Sequence, residues 1–208
     1  MEIYAIKNQY INYVNIKNRR PVTEYGFLKD TNIDEKVFKS HFSSLLAVEQ
    51  AIWADWFNDT LEVLYADSVF EEYSIREKIL ALNYTFVEKI KAQQTFVQVT
   101  LQPMSMFRVD TDTLDDVKLN FNDFVVGLVQ MGIHVGEIIE RPFLTDHYRK
   151  FLWLQFALVI RFWANDSSEN YEKTDAFIEK SVNFAFDLLA RNVADAAFDF
   201  IKFLWQSR

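Results

Sequence analysis

Five basic residues, Arg19, Arg20, Lys29, Lys36 and Lys39, fall between positions 19 and 39, with Thr23 and His41 beside them. Guanidinium and ammonium groups gathered on one short stretch can neutralise nucleic-acid phosphates, and the counterions released supply salt-dependent affinity. The Thr23 hydroxyl and the His41 imidazole can hydrogen-bond to the same backbone or reach base edges. Against this stand Asp34 and Glu35, in the middle of the stretch. Carboxylates favour a helix N-terminus through its dipole, yet they repel the phosphates that such a terminus attracts.

Other chemistry finds little support. His134 and His147 have no nearby Cys and no Glu-x-x-His pairing, which leaves a metal site without its usual ligand set. Asp110, Asp112, Asp115 and Asp116 resemble a calcium loop only in their acidity. Counting from Asp110, the sixth position is Asp115 rather than Gly and the twelfth is Phe121 rather than Glu. The cluster reads as acidic capping of a helix start. No Ser/His/Asp ordering, nucleophile elbow or Gly-rich phosphate loop occurs, and with zero Cys there is no thiol chemistry. The chain reads as a non-enzyme that carries no metal and no cofactor.

The elements that must position these residues are helical. Only 4 Gly and 3 Pro occur in 208 residues, mostly at boundaries, which predicts an all-α protein. A chain of this length buries roughly 70% of its unfolded surface and needs no staples. Aromatics are abundant, at 20 Phe, 9 Tyr and 5 Trp, enough to fill a wide core, line a cavity or cover an interface. Residues 1–45 hold seven Lys/Arg and five Asp/Glu, a balance of +2, whereas the rest hold 15 and 25, a balance of −10. Only the N-terminal part is therefore a plausible nucleic-acid surface. No charged-then-apolar leader opens the chain, and the most apolar window, 151–164, is too short to cross a membrane and contains Gln155 and Arg161. A cytoplasmic protein without a membrane span is expected.

Apolar spacing predicts a first helix over 3–17, a second from a Thr23 cap to Lys29, and a third capped by Asp34 with Val37, Phe38 and Phe42 inward. Ser43 or Ser44 starts a long fourth helix. Ser74 and Glu77 form a capping box for a fifth, reaching about Lys91. A sixth ends before Pro103, and a seventh opens at 110–113 and stops near Gly132. Further helices are expected at 145–164, 171–191 and from about Asn192, the last apolar nearly all round. Two short helices joined across Asp30-Thr31-Asn32 form a helix-turn-helix layout.

With these residues in place, the chain resembles the TetR family of bacterial one-component regulators. Thr23 stands where that family opens its second helix, Ile33 at its Val, Asp34 at its capping Ser, and Phe38 at its Leu. His41-Phe42 match its Tyr/His-Phe pair and Ser44 its later Ser. The departures are Asn32 for the turn Gly, Lys36 for the recognition-helix Gly, Val37 for Thr, and Lys39 for the Tyr that touches phosphate. Residues 141–148 and 172–192 resemble the bodies of one branch of these proteins. The head motif covers about 30 residues, while the layout covers the whole chain.

The resemblance implies a three-helix head at 1–45 on a helical ligand-binding and dimerisation body at 46–208, with about nine or ten helices in all. It implies a homodimeric transcriptional regulator that binds operator DNA and is released by a small apolar ligand. Arg19, Arg20, Thr23, Lys29, Lys36, Lys39 and His41 are the expected DNA contacts. Phe86, Phe96, Met104, Phe107, Phe121, Phe124, Met131 and Trp153 are the expected pocket lining. Gln155, Arg161, Phe177 and Asp187 are expected at the dimer interface, with Arg161 reaching Asp187 or Glu179; the alternative for Gln155 and Arg161 is the polar end of a ligand. A related set with this fold, the TetR-like lipid-binding proteins of ubiquinone biosynthesis, implies the alternative of a lipid or isoprenoid carrier that no longer holds DNA.

Overall fold

Local capping chemistry sets four of the helix starts. The computed structural model describes residues 2–101, 112–141 and 145–190. Among these residues the helices are α1 (Glu2–Lys17), α2 (Glu24–Thr31), α3 (Glu35–His41), α4 (Leu45–Ala66), α5 (Ile75–Ile90), α6 (Gln94–Thr100), α7 (Asp115–Val135), α8 (Thr145–Ala164) and α9 (Glu172–Ala190), with no strand. Thr23, Asp34, Ser44 and Ser74 each accept a backbone N–H from the first turn that follows, so four predicted caps stand, and Ser74 with Glu77 closes the capping box. The helix expected after Asn192 lies outside the described residues, as do Met104 and Phe107.

The seventh helix differs from expectation at both ends. Residues Asp112–Leu114 form a 3-10 turn, and α7 runs on to Val135. Its end is Gly136, at a left-handed φ of 81° that glycine adopts without strain. Gly132 is instead inside the helix, where a Cβ would come within 2.7 Å of the Ile138 side chain. Glycine is there for close packing, not for termination.

Helix α4 packs on α5 and α7, α5 on α9, and α8 on both α7 and α9. Between them Phe57, Phe86, Phe121, Trp153 and Phe156 make a continuous ring cluster, with neighbouring centroids 5.1 to 6.3 Å apart. Three expected pocket residues, Phe86, Phe121 and Trp153, are thus fully packed on other rings. Met131 is a clearer correction. It is 47% exposed on the outside of α7, so the helical spacing that placed it inward was misjudged by one face. Phe124 is buried beside Tyr65, and Phe96 lies between Tyr10 and Trp56, against α1. No helix among the described residues is long and apolar enough to cross a membrane.

The connection after α7 reaches two distant helix ends. Glu137 accepts the N–H groups of Ile75 (3.1 Å) and Arg76 (3.4 Å), capping α5 from outside. Buried Arg141 donates to the carbonyls of Leu188 (3.3 Å) and Leu189 (3.1 Å) in the last turn of α9, and to the Tyr148 hydroxyl (2.9 Å). The Leu189 carbonyl also accepts the Ile139 N–H at 3.0 Å, so the connection holds this stretch of α9 twice.

Candidate nucleic-acid interface

The head is built on a small aromatic core. Phe27 of α2 meets Tyr10 and Tyr13 of α1 at 5.3 and 5.7 Å and Phe38 of α3 at 6.4 Å, and Phe38 packs on Phe42. Between α2 and α3 the chain turns through Asn32, which is left-handed at φ 54°. Asparagine tolerates that region better than most residues, which explains how it replaces a turn glycine. The Ile33 N–H then returns to the Leu28 carbonyl at 3.1 Å, and Asp34 caps α3 through Lys36 N–H (2.8 Å) and Val37 N–H (3.2 Å). The arrangement is a helix, a tight turn and a second, short helix with Phe38 inward.

With Phe38 and Phe42 buried, α3 leaves Glu35, Lys36, Lys39 and Ser40 exposed. Lys29 on α2 and Lys36 on α3 stand either side of the turn, exposed and without an ion pair among the described residues. Arg19 is exposed just after Asn18, another left-handed residue. Thr23 is exposed while its oxygen caps α2. Lys39 is held 2.6 Å from Glu24 and lies over the Phe38 ring, so α3 is tied to the start of α2. His41 sits 3.5 Å from Glu2 of α1. Both pairs are largely exposed and contribute at most about 1 kcal/mol each.

Arg20 departs from expectation. Its guanidinium turns inward to Glu49 of α4, with Nε 2.8 Å and Nη2 2.9 Å from the carboxylate, and also donates to the Thr100 carbonyl and the Thr113 hydroxyl. Glu49 is only 1% exposed and accepts from the Tyr10 hydroxyl at 2.6 Å. Burial works against the Arg20 charge, but the hydrogen bond and attraction of Glu49 outweigh it and raise its pKa. Burial and the same carboxylate push the Tyr10 phenol far above its usual range. Arg20 is therefore a positioning residue that joins head to body, and its phosphate-contact reading is withdrawn.

Sequence reasoning missed Glu49, Tyr10, Thr100 and Thr113. A signal for the first existed, since Glu49 lies three and four residues before the buried Ile52 and Trp53, on the core face of α4. It also missed Tyr25, 76% exposed and one turn before Lys29 on α2, whose hydroxyl is a further donor beside the lysine.

On the body, Phe162 of α8 stacks on Phe177 of α9 at 4.5 Å, and Gln155 reaches Ser181 at 3.0 Å, so the two helices run antiparallel. Their outer side carries Leu154, Phe162 and Phe184, the last 61% exposed. Two of the expected interface residues are occupied within the chain. Gln155 is buried between Asn83 and Ser181, and Asp187 lies 3.8 Å from Arg76. Arg161 is half-buried and Phe177 carries the stack. Burial had required partners for Gln155, and α5 and α9 supply them.

The model of the tetracyclin repressor-like C-terminal domain matches residues 78–204, more than half of the chain. The chain belongs to the TetR family. The match covers α5 from residue 78 on and α6 to α9, the part that holds four of the five clustered rings, the Arg141 clamp and the α8–α9 pair. A search of curated proteins and one of solved structures each gave no match. In this TetR-family chain the head lies outside the matched residues, and its reading rests on the geometry of α1 to α3.

Proposed function

We propose that the chain is a TetR-like transcriptional regulator, a homodimer whose two heads bind operator DNA in the cytoplasm and are released by a small apolar ligand. The observation that carries this reading is the turn at Asn32 with its capped α3, which leaves Lys29 and Lys36 exposed on either side. Residues 1–45 form the head and 46–208 the body, with α4 as the shared element. Arg19, Thr23, Lys29, Lys36, Lys39 and His41 remain the DNA contacts, with Lys39 exchanging Glu24 for a phosphate. The outer side of α8 and α9, with Leu154, Arg161, Phe162, Phe177 and Phe184, forms the dimer interface. Two recognition helices then meet half-sites about 34 Å apart, one DNA turn. The ligand acts by binding one head spacing better than the other, since equal affinity would shift nothing. No catalytic role is assigned.

The rival reading, a lipid or isoprenoid carrier on the same fold, is favoured by the pairing of Lys7 with Asp55, Arg20 with Glu49 and Lys39 with Glu24, which subtracts from the basic surface. A gel-shift series against the DNA flanking the chain's own gene separates the two. Counting Arg19, Lys29, Lys36 and Lys39 in both subunits, affinity falls with log salt at a slope of about −7. The variant Lys29→Glu/Lys36→Glu abolishes the shift. A wild-type protein that gives no sequence-selective shift, and carries a lipid in native mass spectrometry, overturns the regulator.

A further inference from the structure

Between α1 and α2 lies an open groove of about 520 Å³, within the range of small-molecule sites, about 300–1,000 Å³. Helix α1 lines it with Gln9, Asn12, Tyr13 and Lys17, and α2 with Asp30 and Thr31. Most of these side chains are uncommitted. Lys17 and Asp30 are exposed, and neither has an ion pair among the described residues. The Asn12 amide and the Tyr13 hydroxyl make no hydrogen bond among them either. Gln9 is the sharpest case, because its Oε1 is buried and has no hydrogen-bond partner among the described residues. A buried acceptor left without a donor is costly. This oxygen calls for a donor, and the groove is the side from which one can reach it.

The lining has a definite polarity. The Thr31 hydroxyl commits its proton to the Phe27 carbonyl at 2.7 Å, so it offers a ligand only lone pairs. With the Gln9 carbonyl and the Asp30 carboxylate it makes three acceptors, and a primary ammonium carries three donors and no acceptor. Lys17 is the counterpart, a cation with donors only, and suits a carboxylate, with the Asn12 amide as a further donor. An anion alone is repelled by Asp30 and a cation alone by Lys17, whereas a molecule with both charges satisfies both. We propose that this groove binds a zwitterion bearing an ammonium and a carboxylate, the chemistry of a free amino acid or a short peptide. Gln9, Asp30 and Thr31 hold the ammonium, and Lys17 and Asn12 the carboxylate. The bound molecule bridges α1 and α2, apart from the ring-filled body, and its binding requires no DNA.

Saturation-transfer NMR on the full chain tests this with a pool of the standard free amino acids and, separately, a pool of dipeptides. At least one pool receives transfer, and acetylating the amine or amidating the carboxylate of the bound member abolishes it. Transfer from the amino acids alone supports the site and names the free monomer as its source. Transfer from the dipeptides alone supports it and names the peptide. Gln9→Met keeps the length of the side chain and weakens binding about tenfold or more, the scale of a hydrogen bond to a charged group. Asp30→Lys, at an exposed position, loses the zwitterion and takes up its N-acetylated form instead, an exchange that a loss of structure would not produce. The melting temperature of each variant is checked for integrity. No transfer from either pool overturns the proposal. Transfer that Gln9→Met and Asp30→Lys leave unchanged also overturns it, since the bound molecule then sits elsewhere.

Discussion

Replacing Glu49 by glutamine keeps the side chain's shape and removes the charge that Arg20 and Tyr10 share. Arg20 donates to both carboxylate oxygens, so wherever the amide nitrogen of glutamine is placed it faces guanidinium N–H groups, a donor against donors, while the remaining oxygen keeps its own partners. Breaking a buried ion pair costs about 3–5 kcal/mol. The Arg20 side chain is 37% exposed, so water recovers part of its solvation, and about 2–3 kcal/mol is the expected loss. For a chain of this size each kcal/mol moves the melting temperature by about 2–4 °C, which gives a drop of roughly 4–12 °C. The assay is thermal unfolding by circular dichroism at neutral pH and one fixed protein concentration, because dimerisation couples stability to concentration. Arg20→Met and the double variant complete a cycle, and residues in direct contact give a coupling of at least about 0.5 kcal/mol. A Glu49→Gln protein that melts within about 1 °C of wild type, or single effects that simply add, would refute the view that this network joins head to body.

Two glycines of α7 give opposite expectations. Gly132→Ala drives a methyl into the Ile138 side chain and lowers stability by about 1–3 kcal/mol, whereas Gly127→Ala, with nothing within 4 Å, raises it by up to about 1 kcal/mol through helix propensity; denaturant midpoints of both variants check this. Asp166 gives a pH dependence. Burial works against its charge, but Thr174 and Ser168 donate to it and hold its pKa at about 2 against an ordinary 3.8. A carboxyl lowered on folding stabilises above its unfolded pKa and loses that contribution as pH falls, here between about 4 and 2. Asp166→Asn therefore melts lower at neutral pH and shows a flatter melting profile across that window, and an unchanged profile would count against the assignment.

The parts of the molecule governed by short-range chemistry were legible in the sequence. Thr23, Asp34 and Ser74 cap helices because a side-chain oxygen meets an N–H two or three residues on, and nothing distant intervenes. Phe38 and Phe42 face inward at the spacing expected of α3 for the same reason. What stayed hidden depended on neighbours far along the chain. Periodicity showed that Phe86, Phe121 and Trp153 face inward, but not that rings from α4 and α8 fill the space between them. Arg20 looked like its neighbour Arg19 until Glu49, 29 positions later, was seen buried beside it. Gln155 similarly finds Asn83 and Ser181 from two other helices. In α7, Gly132 and Gly136 are both reasonable helix ends by composition. Only the approach of Ile138 tells packing from termination.

Glu137 and Arg141 lie one helical turn apart in number, yet one holds the opening of α5 and the other the Leu188 and Leu189 carbonyls of α9. These points are separated by more than a hundred residues, so a local opening at either tugs on the same short connection. The body thereby gains a cooperative unit that spans its chain order. Opening of α9 around Leu188 and Leu189 must release a buried guanidinium, and that release loosens the cap on α5. Hydrogen exchange is therefore expected to open the first amides of α5 and the amides around Leu188 and Leu189 together, and independent openings would count against this coupling.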